Sequence, residues 1–266
     1  MPDERSLPHW CCEQTLLPLI MKVLLLLLFA SATACAQDAA SLIRQGDSHD
    51  LKYQADEALK CYLPAEKMLP LKVDLLIKIA RQYITRMPKL ATSEQKLASA
   101  MTALGYAERA VKADPECCEA HLGIALCWGR IIQLQGNKEK VEGSRHIKEA
   151  AEKAVKLDPH NDYAWHMLAR WHQGLAGANS IVIGLARLIY GDIPAASNEE
   201  AVKYFLKAIE LRPDRLIHHI ELGRTYAQMG SEKEARRFLE KGLAMPDTEI
   251  DDPETKARGR KALAEL

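Results

Sequence analysis

The sequence predicts an all-α protein: a right-handed α-solenoid of about five helical hairpins, with one long insertion and a C-terminal capping helix. Three observations predict it. The first is a unit that ends one helix at a proline and starts the next at once: Ala65–Pro70, Ala110–Pro115, Ala154–Pro159 and Ala208–Pro213. Proline cannot continue the helix before it, yet it fits the first turn of the helix after it. The second is the register of the flanking residues. The third is composition, with 48% hydrophobic residues but only three Phe, as expected for helices that pack through small side chains.

The register holds over the length of a hairpin. Twelve residues before the proline stand Ala58, Ala103, Ile147 and Ala201, and eight before it Tyr62, Ala107, Ala151 and Phe205. Five before it every copy has alanine: Ala65, Ala110, Ala154 and Ala208. Six after it come Leu76, His121, Trp165 and His219, and ten after it Ala80, Ala125, Ala169 and Gly223. Small residues at fixed places allow two helices to cross closely, with a large residue beside them.

Taken in order, residues 38–50 predict a first helix and residues 54–65 a second, which Pro64 is expected to kink or tighten. The prolines at 70, 115, 159 and 213 are spaced more widely than a plain repeat of 34 residues requires. The extra residues fall inside hairpins, around Arg86–Gln95 and Gln135–Arg145, and as a longer insertion at 174–198. Insertions on one side of a repeat stack build its binding face. Ser197-Asn198-Glu199-Glu200 predicts an N-cap with acids in the first turn of the following helix. A last hairpin runs through Tyr226, Gly230, Ala235, Leu239 and Leu243, and residues 253–266 predict the polar cap that an open solenoid end needs.

The N-terminus predicts export. Met21-Lys22, the apolar run Val23–Ala30 and the small residues up to Ala36 have the pattern of a secretory signal peptide, with Met21 as the expected start. Two processing routes stand: cleavage after Ala36, or a lipoprotein-like Ala32-Thr33-Ala34-Cys35 box that makes Cys35 the lipidated residue. The expected division is a leader at 1–36 and a repeat domain at 37–266. The expected location is periplasmic, secreted or membrane-anchored, and contact with a membrane comes only through such an anchor or an uncleaved leader.

Lys+Arg and Asp+Glu balance at 36 each, which gives no argument for nucleic acid or for an acidic substrate. Of seven cysteines three fall in the leader; the other four form no C-x-x-C pair, so no zinc site is expected, and they read as packed small hydrophobes, with a Cys117–Cys127 or similar bridge as the alternative. Nine histidines raise the question of a metal, but His166/His172 and His218/His219 sit at spacings that send them to different faces. No nucleophile–base pair or phosphate loop occurs. The expectation is a non-enzymatic chain without cofactor or metal.

The expected binding residues are Arg81, Arg130, Arg170 and Arg224, recurring eleven or fifteen positions after the prolines, with Trp171 beside Arg170. On first helices they would grip the carboxylate end of a peptide. A second set, Ile181, Ile183, Leu185, Leu188 and Tyr190, forms an apolar stretch in the insertion that would wall a lipid pocket, clasp a partner or fold back as core.

The aligned hairpins resemble the tetratricopeptide repeat. Asn161–Trp171, Leu185–Gly191, Pro194 and Glu199–Phe205, with Gly136–Lys148 upstream, resemble the regulator of microtubule dynamics family over roughly residues 100–245. That resemblance implies association with microtubules and, in one member, a mitochondrion–endoplasmic reticulum tether whose repeat domain binds lipid. The export signal conflicts with a cytosolic role. A protein–protein scaffold acting through its concave face is the favoured function; a carrier of lipid or another hydrophobic ligand, and a microtubule-associated regulator if the chain is cytosolic, are the alternatives.

Overall fold

A computed structural model describes residues 37–178, 183–184, 187–188 and 196–266. The leader, its boundary and Cys35 lie outside the described residues, as do Ile181, Leu185 and Tyr190. Helix α1 spans 37–50, followed by α2 (Ala55–Met68), α3 (Val73–Thr85), α4 (Ser93–Ala113) and α5 (Cys118–Ile131). After these come α6 (Asn137–Leu157), α7 (Asp162–Ala176), α8 (Asn198–Leu211), α9 (Leu216–Gln228), α10 (Glu232–Ala244) and α11 (Asp252–Ala264). No strand occurs among the described residues.

From α2 onward each helix packs on the next in sequence, and the first helices of successive hairpins also touch: α3 on α5, α5 on α7 and α7 on α9. That is the contact pattern of an α-solenoid, with an inner layer of first helices and an outer layer of second helices. The four alanines five residues before the prolines are fully buried, as are Tyr62 and Phe205 at the large position. Small residues let the helices approach; Tyr62 and Phe205 fill the volume beside the crossing.

Each hairpin boundary is held by hydrogen bonds as well as by proline. Asp114 and Asp158 accept from the backbone N–H two residues on, at 3.0 and 2.9 Å. The ring six residues past the proline donates back to the proline carbonyl: His121 to Pro115 (2.9 Å), Trp165 to Pro159 (2.8 Å) and His219 to Pro213 (3.0 Å). Three of the four copies therefore supply a ring N–H as well as bulk at the aligned position, while Leu76 supplies bulk alone. Gly230, at φ 70°, makes the tight turn between α9 and α10, a left-handed conformation that glycine adopts at no steric cost.

The expected extra residues lengthen second helices. Helices α4 and α6 each have 21 residues against 14 in α8. A short 3-10 turn, Met87–Lys89, precedes α4, which opens on a capping box of Thr92 and Gln95. Ser197 caps α8 by accepting from the Glu200 N–H at 3.2 Å. Pro64 lies inside α2, which runs on to Met68. Cys61, Cys117, Cys118 and Cys127 are free, so the Cys117–Cys127 bridge does not form; burial pushes the Cys127 thiol up to about 12. No helix of the described residues is long and apolar enough to cross a membrane.

A cationic groove on the concave face

The inner layer and the overhanging first turns of α6 enclose a groove of about 1140 Å³. The lengthening of α6 supplies one wall, with Lys140, Val141, Ser144, Arg145 and Lys148. Helices α5, α7 and α9 supply Arg130, Arg170 and Arg224, and α11 closes the far side with Glu254 and Arg258. Seven basic side chains line the groove against four acidic ones (Glu149, Glu221, Asp251 and Glu254), a local excess of +3 in a chain whose net charge is zero.

The centre of the groove is a carboxylate. Glu221, 1% exposed, accepts from Arg170 Nη1 at 2.5 Å and Arg224 Nη1 at 2.7 Å, and Arg258 Nε lies 3.5 Å from its other oxygen. Burial acts to raise the Glu221 pKa, but the three guanidinium groups prevail and hold it below the ordinary carboxylate value. Arg258 also pairs with Glu254 at 2.9 Å, so two carboxylates face three guanidinium groups and one positive charge is left over, on side chains that are each about a third exposed. The expected arginine clamp thus already holds a carboxylate of the chain itself.

Of the residues expected from sequence, Arg130, Arg170, Trp171 and Arg224 converge on this groove and Arg81 does not. Arg81 pairs with Asp50 of α1, at the other end of the solenoid. Arg130 reaches Asp251 at 3.5 Å. Trp171 is 7% exposed and donates to Ser144 Oγ at 2.9 Å, with the Lys148 ammonium over its ring at 5.5 Å, so it serves as floor and has no open stacking face. In the insertion, Leu188 is 82% exposed and Ile183 half-buried, and neither lines the groove.

Sequence reasoning missed Glu221, Arg258, Lys140 and Lys148. Glu221 had a legible signal: it interrupts the apolar run Ile220-Glu221-Leu222-Gly223 on a first helix, and a buried charge requires partners. Beneath the groove, Asp162 Oδ2 contacts His218 Nε2 at 2.8 Å and Arg215 at 2.5 Å, and His218 meets His166 at 2.9 Å. Glu249, Asp251 and Asp252 cluster closely enough to suggest a cation. Their carboxylates are already engaged: Glu249 by Arg215 at 2.8 Å, Asp251 by Arg130, and Asp252 by the Thr248 and Glu249 N–H groups at 2.7 and 2.8 Å.

Comparison with known proteins gives the family. A thermophilic TPR protein of Thermus thermophilus superposes with a TM-score of 0.61 at 17% identity, covering 85% of this chain and 99% of that one, which establishes the fold. Regulator of microtubule dynamics protein 1 of Mus musculus is 28% identical over 196 residues, 73% of this chain and 64% of that protein. Regulator of microtubule dynamics protein 3 of the same species is 24% identical over 214 residues, 80% of this chain and 45% of that protein. This chain therefore spans less than two thirds of the length of either relative.

These relatives correct the expected location. They are named for the regulation of microtubules, which are cytosolic polymers, whereas export would carry a chain away from them. A charged start, a short apolar run and small residues are a weak pattern that an unexported N-terminus matches by composition alone. The model of the family described as regulator of microtubule dynamics protein 1-3 matches residues 42–266, and this chain belongs to that family.

Proposed function

We propose that the chain is a non-catalytic scaffold that binds an extended peptide of a protein partner along the concave groove. The observation that supports this reading best is the groove itself: a concavity of about 1140 Å³ whose walls carry dispersed cations between apolar floor residues such as Leu126, Met167 and Ile217. Extended peptides are held in this way, by polar groups that fix the direction of the chain and apolar patches that seat its side chains. The basic lining and the exposed Leu188 give no support to a lipid-carrying cavity. The relatives' names make proteins of the microtubule system the first partners to try.

The test is fluorescence anisotropy with short labelled peptides of acidic, basic, neutral polar and apolar composition. A Lys140→Gln/Lys148→Gln variant alters the groove wall without touching the Glu221 cluster. Saturable binding of one class, weakened in this variant, is the expected result. Binding of none, or binding that the variant leaves unchanged, would overturn the proposal.

A further inference from the structure

The link between α10 and α11 reads Pro246-Asp247-Thr248-Glu249-Ile250-Asp251-Asp252, four acids in seven residues. It does more than connect two helices. The Thr248 carbonyl accepts from Tyr53 Oη at 2.9 Å, 195 positions away in the chain, so the link joins the first corner of the solenoid to its last. Glu249 takes Arg215 at the start of α9, and Asp251 takes Arg130 at the end of α5. Asp251 and Arg130 both line the groove. Tyr53 itself stands at φ 54°, a left-handed conformation that is costly for a bulky residue and is sustained only where surrounding contacts impose it. An acidic stretch of the chain, turned by the Asp252 N–H donating to the Glu249 carbonyl at 3.2 Å, therefore already reaches the cationic concave face through Asp251, held by side chains from three separate hairpins.

We infer that this link is an internal pseudo-ligand, and that the groove's partner is an acidic extended peptide which competes with it for the concave-face cations. The inference rests on the scaffold reading above and names the partner's chemistry. Charge complementarity supports it: three guanidinium groups face only two carboxylates, Glu221 and Glu254, and Lys140 lines the groove without an ion pair among the described residues. A basic peptide would meet repulsion at this surface. A neutral one would leave the cation excess uncompensated once water is displaced.

The experiment uses the full chain and a labelled peptide of its own sequence 245–253, Met-Pro-Asp-Thr-Glu-Ile-Asp-Asp-Pro. Three chains are compared: the native one, a Glu249→Gln/Asp251→Asn variant whose link has lost its two clamped charges, and Lys140→Gln/Lys148→Gln. The expected order is tightest binding to the neutralised link, by about threefold over native, and weakest to the lysine variant, with affinity falling as salt rises. A control peptide with Asn and Gln in place of Asp and Glu is expected to bind about tenfold more weakly. Circular dichroism checks that each variant is folded, and Asp251→Asn alone serves if the double variant is not.

Equal affinity of native and neutralised chains would overturn the competition. Equal binding of the acidic and amide peptides would overturn the acidic partner and leave the scaffold standing. If no peptide of any class binds while vesicles of phosphatidylcholine and phosphatidylserine capture the chain, the inference and the scaffold reading both fail.

Discussion

His166 and His218 meet Nδ1 to Nδ1 at 2.9 Å beneath the groove, and the partner of His218 fixes every proton in the pair. Asp162 is a carboxylate and only accepts, so His218 Nε2 carries a hydrogen. A neutral His218 then offers a bare Nδ1, to which His166 Nδ1–H donates. His166 is left with a bare Nε2 at the floor of the groove.

This arrangement makes stability depend on pH. Burial first, then the neighbouring His218 and the cations Arg170, Arg215 and Arg258, holds the pKa of His166 well below its ordinary value. Burial also lowers that of His218, against the opposing pull of Asp162. Both histidines thus take up protons more readily in the unfolded chain. Their contribution to stability is complete above the unfolded pKa of about 6.5 and is lost as pH falls below it toward the folded values. Urea unfolding at pH 7.5 and 5.5 is expected to show a lower midpoint at 5.5. His218→Gln, which keeps a donor for Asp162 and an acceptor for His166 but does not titrate, is expected to reduce the difference. A midpoint that does not move with pH would refute the neutral pair.

Glu221 is the keystone of the three-arginine cluster. Glu221→Gln leaves Arg170 and Arg224 without an anion among the described residues, with Glu254 still paired to Arg258, and is expected to destabilise the fold by about 3 kcal/mol. That is the low end for a buried charge, because the guanidinium groups keep about a third of their surface in water. Chemical denaturation measures it; a loss below about 0.5 kcal/mol, the range of ordinary surface substitutions, would show that solvent supports the arginines unaided.

Two glycines make opposite predictions. A Cβ on Gly223 would stand 2.7 Å from Leu239 Cγ and 2.8 Å from the Leu239 backbone nitrogen, so α9 and α10 would have to separate. Gly223→Ala is expected to cost about 1–3 kcal/mol, although the three aligned copies carry alanine there. Gly105, inside α4, has nothing within 4 Å of an added Cβ, and Gly105→Ala is expected to gain about 0.5–1 kcal/mol from helix propensity. Thermal unfolding of the two variants, moving in opposite directions, checks both.

The ring that donates to the proline carbonyl predicts a third class of variant. Trp165→Phe removes the indole N–H that the Pro159 carbonyl accepts and leaves that carbonyl to water, with an expected cost of about 1 kcal/mol. Trp165→His restores a ring N–H of the kind used at His121 and His219, and is expected to recover part of the loss. Equal stability of the Phe and His variants would make the position one of bulk alone.

The sequence by itself determined the hairpins. The alanine five before each proline, the residue at the crossing and the proline stop are local, periodic features, and the four alanines are fully buried where the periodicity requires. It also determined that α4 and α6 would be long, because extra residues between fixed repeat positions have to lengthen a helix or form a loop. Only the tertiary structure decided what faces what. Arg81, Arg170 and Arg224 are equivalent in repeat register, yet their partners come from different places: Asp50 of the preceding α1 for Arg81, Glu221 of the following first helix α9 for Arg170, and the same Glu221 on its own helix for Arg224. The contact of Tyr53 with Thr248 and that of Arg130 with Asp251 depend on the curvature summed over several hairpins, a quantity that no single repeat encodes. The periodicity therefore made the scaffold legible, while the groove's charge and the acidic link lying on it arose from superhelical geometry.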